Sequence, residues 1–274
     1  MNIRNSESLN LTDVTFNIPI RFDSPERKKN VELVVAYLLH HLNTHIIICE
    51  ESPEIMFSHL QEYGCQYIYI YSENSHLHRT KCLNLMAKKS RTPIICNYDS
   101  DVLLQPRQYL KAAETVRREE FDACFPYDGR FYNLPRQYYK TIKENLSLSM
   151  LNEKKWSLLN RNSIGGALFW NKEAFFAGGM ENENFIGWGY EDNELVERFT
   201  RLGFTFGRTE GGLFHLDHPR GSVSSFNSLK KIAGYIRNPV LKNNKREYNK
   251  VKAMSKEELS AYIKTWPPPQ RGEV

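Results

Sequence analysis

The chain has 274 residues, 41% hydrophobic and 25% charged, with a net charge of +5, which suits a soluble globular protein of one large domain or a domain plus a tail. No apolar run approaches the ~20 residues that cross a bilayer, and the polar start "MNIRNSESLNLTD" has no apolar stretch of a signal peptide. The five cysteines (Cys49, Cys65, Cys82, Cys96, Cys124) form no C-x-x-C pair and most lie in apolar segments, so buried reduced thiols are expected and a zinc site is not.

In chain order, "TDVTFNIPIRF" is β-branched and aromatic and reads as a strand. "SPERKKNVELVVAYLLHHLN" follows at helical spacing (Val31, Val34, Val35, Leu38, Leu39, Leu42), with Ser24-Pro25 as cap and first turn. Then come strand "HIIICE", helix "SPEIMFSHLQEYG", strand "QYIYIYS", helix "HRTKCLNLMAKKS", strand "TPIICNYDSD", helix "QPRQYLKAAETVRREE" and "FDACFPY". This alternation predicts an α/β protein with a mostly parallel sheet flanked by helices. Neither G-x-G-x-x-G after the first strand nor G-x-x-x-x-G-K-[ST] is present, which disfavours a dinucleotide site and a P-loop.

Residues from Arg130 to Asn162 are polar and read as a helix-containing insertion. "SIGGALFWNKEAFFAGG" predicts a strand and a short helix, and Glu191 to Leu202 a helix with Leu195, Val196 and Phe199 on one face and Gly203 as its stop. Short strands "FTFGR" and "GLFHLDH" follow. From Arg220 onward 12 Lys and Arg face four Glu, while the preceding residues are slightly acidic. The basic tail, from Ser222, is expected to include a helix opened by the capping box Ser255-x-x-Glu258 and to end in an extended segment, "TWPPPQRGEV". A basic tail serves as a solvated face, a nucleic-acid contact or an anchor to anionic lipid.

Three stretches carry chemistry. Asp99-Ser100-Asp101 stands at the carboxyl end of the strand "TPIICNY", where open α/β sheets bind ligands. Two carboxylates at i, i+2 converge on a divalent cation, although the same pattern also caps turns and helices. His215 and His218 flank an Asp after a Gly-Gly turn, and a site mixing imidazole with oxygen ligands favours Mn²⁺ over Mg²⁺. His215 is the first choice of ligand, with His218 as its substitute. In Gly187-Trp188-Gly189-Tyr190-Glu191-Asp192, two acids open a helix, where its dipole stabilises them. The glycines let the backbone approach a ligand, the Trp188 ring offers a stacking face for a sugar, and one acid would take a proton from a hydroxyl.

Together, "FNIPIRFDSPERKKNVELVVAYL", "CNYDSDVLL", "NSIGGALFWNKEAFFAGGMENENFIGWGYEDNEL" and "FHLDHPRG" resemble nucleotide-sugar glycosyltransferases of the GT-A fold. The parallels are β-1,4-galactosyltransferases, the GalNAc-transferring part of bacterial chondroitin polymerases, and polypeptide GalNAc-transferases. The resemblance spans about residues 12 to 221. It implies a catalytic domain over 1–221, with a nucleotide-sugar half at about 12–125 and an acceptor half at about 160–221, followed by a basic helical extension over 222–274. It implies that Asp99, Asp101 and His215 hold Mn²⁺ (Mg²⁺ as the alternative) against the donor diphosphate. Trp188, Gly189, Glu191 and Asp192 would bind the acceptor, with Asp192 as general base and Glu191 beside it. Arg21 and Asp23 resemble the uridine-contacting stretch, and Glu50, Arg79 and Asn84 are nucleotide-side candidates. Galactosyltransferases often have Gly where this chain has Tyr190.

The resulting expectation is an inverting, metal-dependent transferase. It would move galactose or GalNAc from a UDP-sugar to a glycan or lipid-linked acceptor in bacterial surface polysaccharide synthesis. It would be cytoplasmic, with peripheral contact to anionic membrane through the tail and no nucleic-acid partner. The competing readings are a sugar-phosphate nucleotidyltransferase, which would need a Gly-rich basic first loop, and a non-catalytic nucleotide-sugar binding module.

Overall fold

A computed structural model describes residues 8–151, 158–219 and 238–266 of the chain. The central sheet has seven strands: β1 (Leu9–Ile20), β2 (Leu42–Ser52), β3 (Gln66–Tyr71), β4 (Ile94–Tyr98), β6 (Ala123–Phe125), β9 (Ala167–Asn171) and β10 (Phe206–Arg208). Their order is β10-β6-β9-β4-β1-β2-β3. All neighbours run parallel except β9, which is antiparallel to both β4 and β6. The α/β architecture with a mostly parallel sheet is thus as the alternation of elements predicts. Helices α1 (Pro25–His41), α2 (Arg79–Lys89), α3 (Pro106–Arg117) and α5 (Lys172–Ala177) follow strands β1, β3, the short β5 (Val102–Leu103) and β9.

Local chemistry explains the boundaries. Ser24 Oγ accepts from Arg27 N at 3.2 Å, with Pro25 in the first turn of α1. Helix α6 (Glu191–Leu202) stops at Gly203 in the left-handed conformation, φ 104°. Phe16 lies at the centre of the core, with Tyr98, Tyr109 and Phe169 edge-on to it at 5.4 to 5.8 Å. All five cysteines are buried and free, and burial pushes the Cys65 and Cys124 thiols up to about 12.

Three features differ from the sequence reading. Residues 52–64 form only a 3-10 turn over Ser58–Tyr63. Buried Glu50 accepts from the backbone N–H of Met56 and Phe57 (3.0 to 3.2 Å), which holds that chain off the helical path. The insertion does contain a helix, α4 (Tyr139–Asn145), but it also builds a second sheet of order β5-β11-β7-β8. That sheet joins β5 (Val102–Leu103), β7 (Phe131–Leu134), β8 (Leu158–Asn160) and β11 (Leu213–Leu216). The third is an additional C-terminal helix, α7 (Pro239–Ala253), capped by Asn238. It precedes α8 (Lys256–Lys264), whose reciprocal Ser255–Glu258 capping box is formed. Both pack on α6. The first part of the basic tail and the final "PPPQRGEV" lie outside the described residues. Among those described, no helix is long and apolar enough to cross a membrane.

Candidate active site

The second sheet assembles the first half of the site. β5 follows the Asp99-Ser100-Asp101 loop and pairs antiparallel with β11, Val102 opposite His215. Buried hydroxyls fix the loop: Tyr98 donates to Val102 O at 2.7 Å, and Tyr109 accepts from Leu104 N at 2.9 Å. The backbone of Asp101 accepts from Leu216 N at 2.7 Å. Asp101, His215 and His218 are all buried, and one donor atom from each lies within 4.8 Å of the others. Asp101 Oδ2 is 3.2 Å from His218 Nε2 and 3.9 Å from His215 Nε2. His215 Nδ1 faces Asn133 Oδ1 at 3.2 Å and His218 Nδ1 faces Pro219 O at 3.0 Å. Both acceptors suit a proton on Nδ1 and turn each Nε2 toward Asp101; with the rings neutral, the two Nε2 lone pairs and the carboxylate are a donor set that fits a divalent cation. Arg27 adds a guanidinium contact to Asp101 Oδ2 at 3.0 Å and to His218 Nε2 at 3.1 Å. Burial pushes the Asp101 carboxyl up, but the His218 hydrogen bond and the charges of His215 and Arg27 outweigh it and hold the group below its ordinary range.

Asp99 turns elsewhere. Its Oδ1 accepts from Arg79 Nη2 at 3.1 Å and Nε at 3.2 Å, while Arg79 Nη1 lies 3.6 Å from Asp192 Oδ1. Arg79, at the start of α2, therefore joins the Asp-x-Asp loop to the helix that carries the acid pair. Buried Nη1 has no hydrogen-bond partner among the described residues. Asp99, Asp192, Glu181 and Glu191 all raise the Arg79 pKa, against the effect of burial. Burial, opposed by Arg79, pushes Asp99 up to about 6 and Glu181 up to about 7.

The two adjacent acids have different surroundings. Glu191 is buried, and its Oε2 accepts from Gly189 N at 2.6 Å, locking the turn that precedes its own helix. Burial and adjacent Asp192 push it up to about 8. Asp192 instead opens to a small cleft shared with Arg79, Gly165, Gly166 and Glu181. Burial raises its pKa, against Arg79. A Cβ on Gly165 would meet Asp192 Oδ2 at 2.5 Å, so glycine there makes room for this carboxylate. The next carbonyl, Gly166 O, accepts from Asp99 N at 2.8 Å, tying the Gly-Gly element to the Asp-x-Asp loop. Trp188 is half-exposed beside Ile186.

The other predicted residues sit less directly. Arg21 donates to Glu51 O at 3.0 Å and Ser72 O at 3.4 Å. Asp23 pairs with Arg27 at 2.9 Å. Glu50 also accepts from Tyr67 OH at 2.5 Å. Asn84 is buried, donating to Glu181 O and Glu183 Oε1 and accepting from Glu181 N. Glu50 thus holds the turn after its strand, and Asn84 ties α2 to Glu181 and Glu183. Sequence reasoning missed Arg27, Asn133 and Glu181. Arg27 carried one signal, its place just after the first strand, and Asn133 none.

The sequence matches a family model described as the N-terminal domain of galactosyltransferase over residues 147–220. No curated protein matches the chain. Among solved structures, GalNAc-T7 with UDP, GalNAc and Mn²⁺ aligns at 13% identity and TM-score 0.51, covering 92% of this chain and 53% of that one. The chain thus spans about half the length of GalNAc-T7. Glucosyl-3-phosphoglycerate synthase from Mycobacterium tuberculosis, with Mn²⁺, UDP-glucose and phosphoglyceric acid, aligns at 12% identity and TM-score 0.50, covering 86% and 79% of the two chains. Mannosyltransferase PcManGT from Pyrobaculum calidifontis, with GDP-Man and Mn²⁺, aligns at 12% and 0.50, covering 94% and 76%. At such identity the likeness is one of fold. The GT-A fold read from the sequence is borne out, and with the galactosyltransferase match it supports a glycosyltransferase.

Proposed function

We propose that the chain is an inverting glycosyltransferase that uses Mn²⁺ and a UDP-sugar, with galactose or GalNAc as the sugar and a glycan or lipid-linked sugar as acceptor. The observation that carries this reading is the joining of two unlike acid sites by Arg79, which pairs with Asp99 and lies 3.6 Å from Asp192. On one side, Asp101, His215 and His218 would hold the cation, with Asp99 beside them. When bound, the cation supplies positive charge that stabilises the departing diphosphate. Arg27 and Arg79 add fixed positive charge at the same end.

On the other side, Asp192 accepts the proton of the acceptor hydroxyl as that oxygen bonds to the anomeric carbon. The bond from that carbon to the diphosphate oxygen breaks, its electron pair leaves with UDP, and the single displacement inverts the centre. Glu191 keeps the loop shaped through Gly189 N, and Trp188 offers the acceptor sugar a ring face. Residues 1–221 serve as the catalytic region in this reading and 222–274 as its extension. Lys242, Lys245, Arg246 and Lys252 are exposed on α7, which supports peripheral contact with anionic lipid, and in this reading the protein acts in surface polysaccharide synthesis at the inner membrane face. Removing the tail is expected to weaken binding to anionic vesicles in a salt-sensitive way.

The test of the main reading is a panel of nucleotide sugars with and without Mn²⁺. A UDP-sugar should raise the melting temperature only with the metal, since ligands of the native state stabilise it, and should be hydrolysed slowly without acceptor. No stabilisation and no hydrolysis by any UDP-sugar would overturn the reading.

A further inference from the structure

We propose that Asn244 and Tyr248, on the C-terminal helix α7, are positioning residues that hold the Trp188 loop in the shape the acceptor meets. What the loop binds rests on the glycosyl-transfer reading; the hold itself does not.

Asn244 is buried at 1% exposure. Its Nδ2 donates to Ile186 O at 3.0 Å and Gly189 O at 3.1 Å, and its Oδ1 accepts from Ile186 N at 3.4 Å. One side chain therefore grips the backbone on both sides of Gly187-Trp188. Packing alone does not explain an amide here. The buried stripe of α7 is Leu241, Asn244 and Val251, and an apolar residue would dock the helix without the cost of burying an amide. The amide is matched to the loop: among the described residues, no other donor is found for the Ile186 and Gly189 carbonyls.

Tyr248 acts one residue further along. Tyr190 has φ 72°, the left-handed region, which costs a non-glycine residue roughly 1–2 kcal/mol. Its ring stacks on Tyr248 with centroids 5.6 Å apart and planes at 26°. A glycine would take this backbone without strain but would give Tyr248 nothing to stack on. The tyrosine makes the turn before Glu191 depend on the C-terminal helix.

The test uses full-length Asn244→Leu, Asn244→Ala, Tyr248→Ala and Tyr248→Phe. Hydrogen exchange of the ligand-free proteins should quicken at the amides of 186–190 in the first three, with the β1–β4 amides unchanged. Asn244→Leu should keep a near-normal melting temperature, because it retains the helix contact. In transfer assays the acceptor KM should rise roughly 10-fold or more, since small misplacement of a binding group is costly. The donor KM and acceptor-free hydrolysis of the UDP-sugar should stay within twofold, and Tyr248→Phe should resemble the wild type. Unchanged exchange at 186–190 in both Asn244 variants would overturn the proposal. So would a parallel fall of every kinetic constant with melting temperature, which marks a purely structural residue. If the wild type transfers no sugar, the glycosyl-transfer reading fails and the exchange experiment still decides the hold.

Discussion

Asp101, in the Asp-x-Asp loop, and Asp192, on α6, are carboxylates linked through Asp99 and Arg79, and their surroundings move them in opposite directions. Asp101 faces Arg27, His215 and His218, and those partners hold it below its ordinary range despite burial. Asp192 must share Arg79 with Asp99, Glu181 and Glu191, so burial prevails and its pKa rises. The first environment keeps a carboxylate ionised, as a ligand to a cation would need to be. The second favours a carboxylate that gains a proton readily, as a general base does. In the proposed reading the same side chain would take two roles, set by how many cations surround it.

The largest expected effect lies at the acid-rich end. Asp192→Asn keeps size and hydrogen bonding but cannot take the acceptor proton, and transfer should fall by ~10²–10⁴-fold. Asn also caps helices well, so the melting temperature should hold. Near-normal transfer would erase the difference in role between the two acids and make Glu191 the next residue to test. Next comes the cation-facing end. Asn133→Ala removes the partner that sets the His215 tautomer, and Mn²⁺ affinity by calorimetry should drop roughly 10–100-fold. Unaltered affinity would remove His215 from the metal set.

A smaller effect concerns stability and pH. Burial raises the Glu181 carboxyl from 4.5 to about 7. Between these values the folded chain keeps a proton that the unfolded chain has released. The stability linked to Glu181 is therefore full below pH ~4.5, declines as pH rises, and levels off above ~7. Glu181→Gln should make the fall of unfolding free energy across that window shallower, as read from denaturant titrations at several pH values. An identical slope would mean that Glu181 is ionised in the fold and that the acid-rich end is better compensated than its geometry indicates. The smallest effect belongs to Tyr190→Gly. Relief of the left-handed strain and loss of the stack on Tyr248 oppose each other, so stability should change by less than about 1 kcal/mol. A larger shift in either direction would show which of the two dominates.

The parts legible in the sequence were those with short-range causes. Ser24-Pro25, Gly203 and the Ser255–Glu258 box each set a helix end through neighbours in the chain. The Asp-x-Asp triplet and the Gly-Trp-Gly-x-Glu-Asp element were visible because their residues are contiguous. What escaped depends on partners far away. β5 has two residues and is a strand only because β11 lies opposite it. Arg27 reads as a helix-surface arginine four residues from Asp23, and only the fold brings Asp101 and His218 to it. The helix α7 had its cap and proline in Asn238-Pro239, yet its buried stripe contains Asn244, which disguises the apolar periodicity. Glu50 was visible at the end of its strand, but its turn-closing hydrogen bonds to Met56 and Phe57 were not.

In the proposed reading, cation-dependent donor binding and acceptor deprotonation reside on separate carboxylates, Asp101 and Asp192. Calorimetric titration of UDP in the presence of Mn²⁺ tests it most directly, using wild type, Asp101→Ala and Asp192→Asn in parallel. UDP binding that is lost in Asp101→Ala and unchanged in Asp192→Asn is the predicted result. Equal UDP affinity in wild type and Asp101→Ala, or loss in Asp192→Asn, would contradict the account.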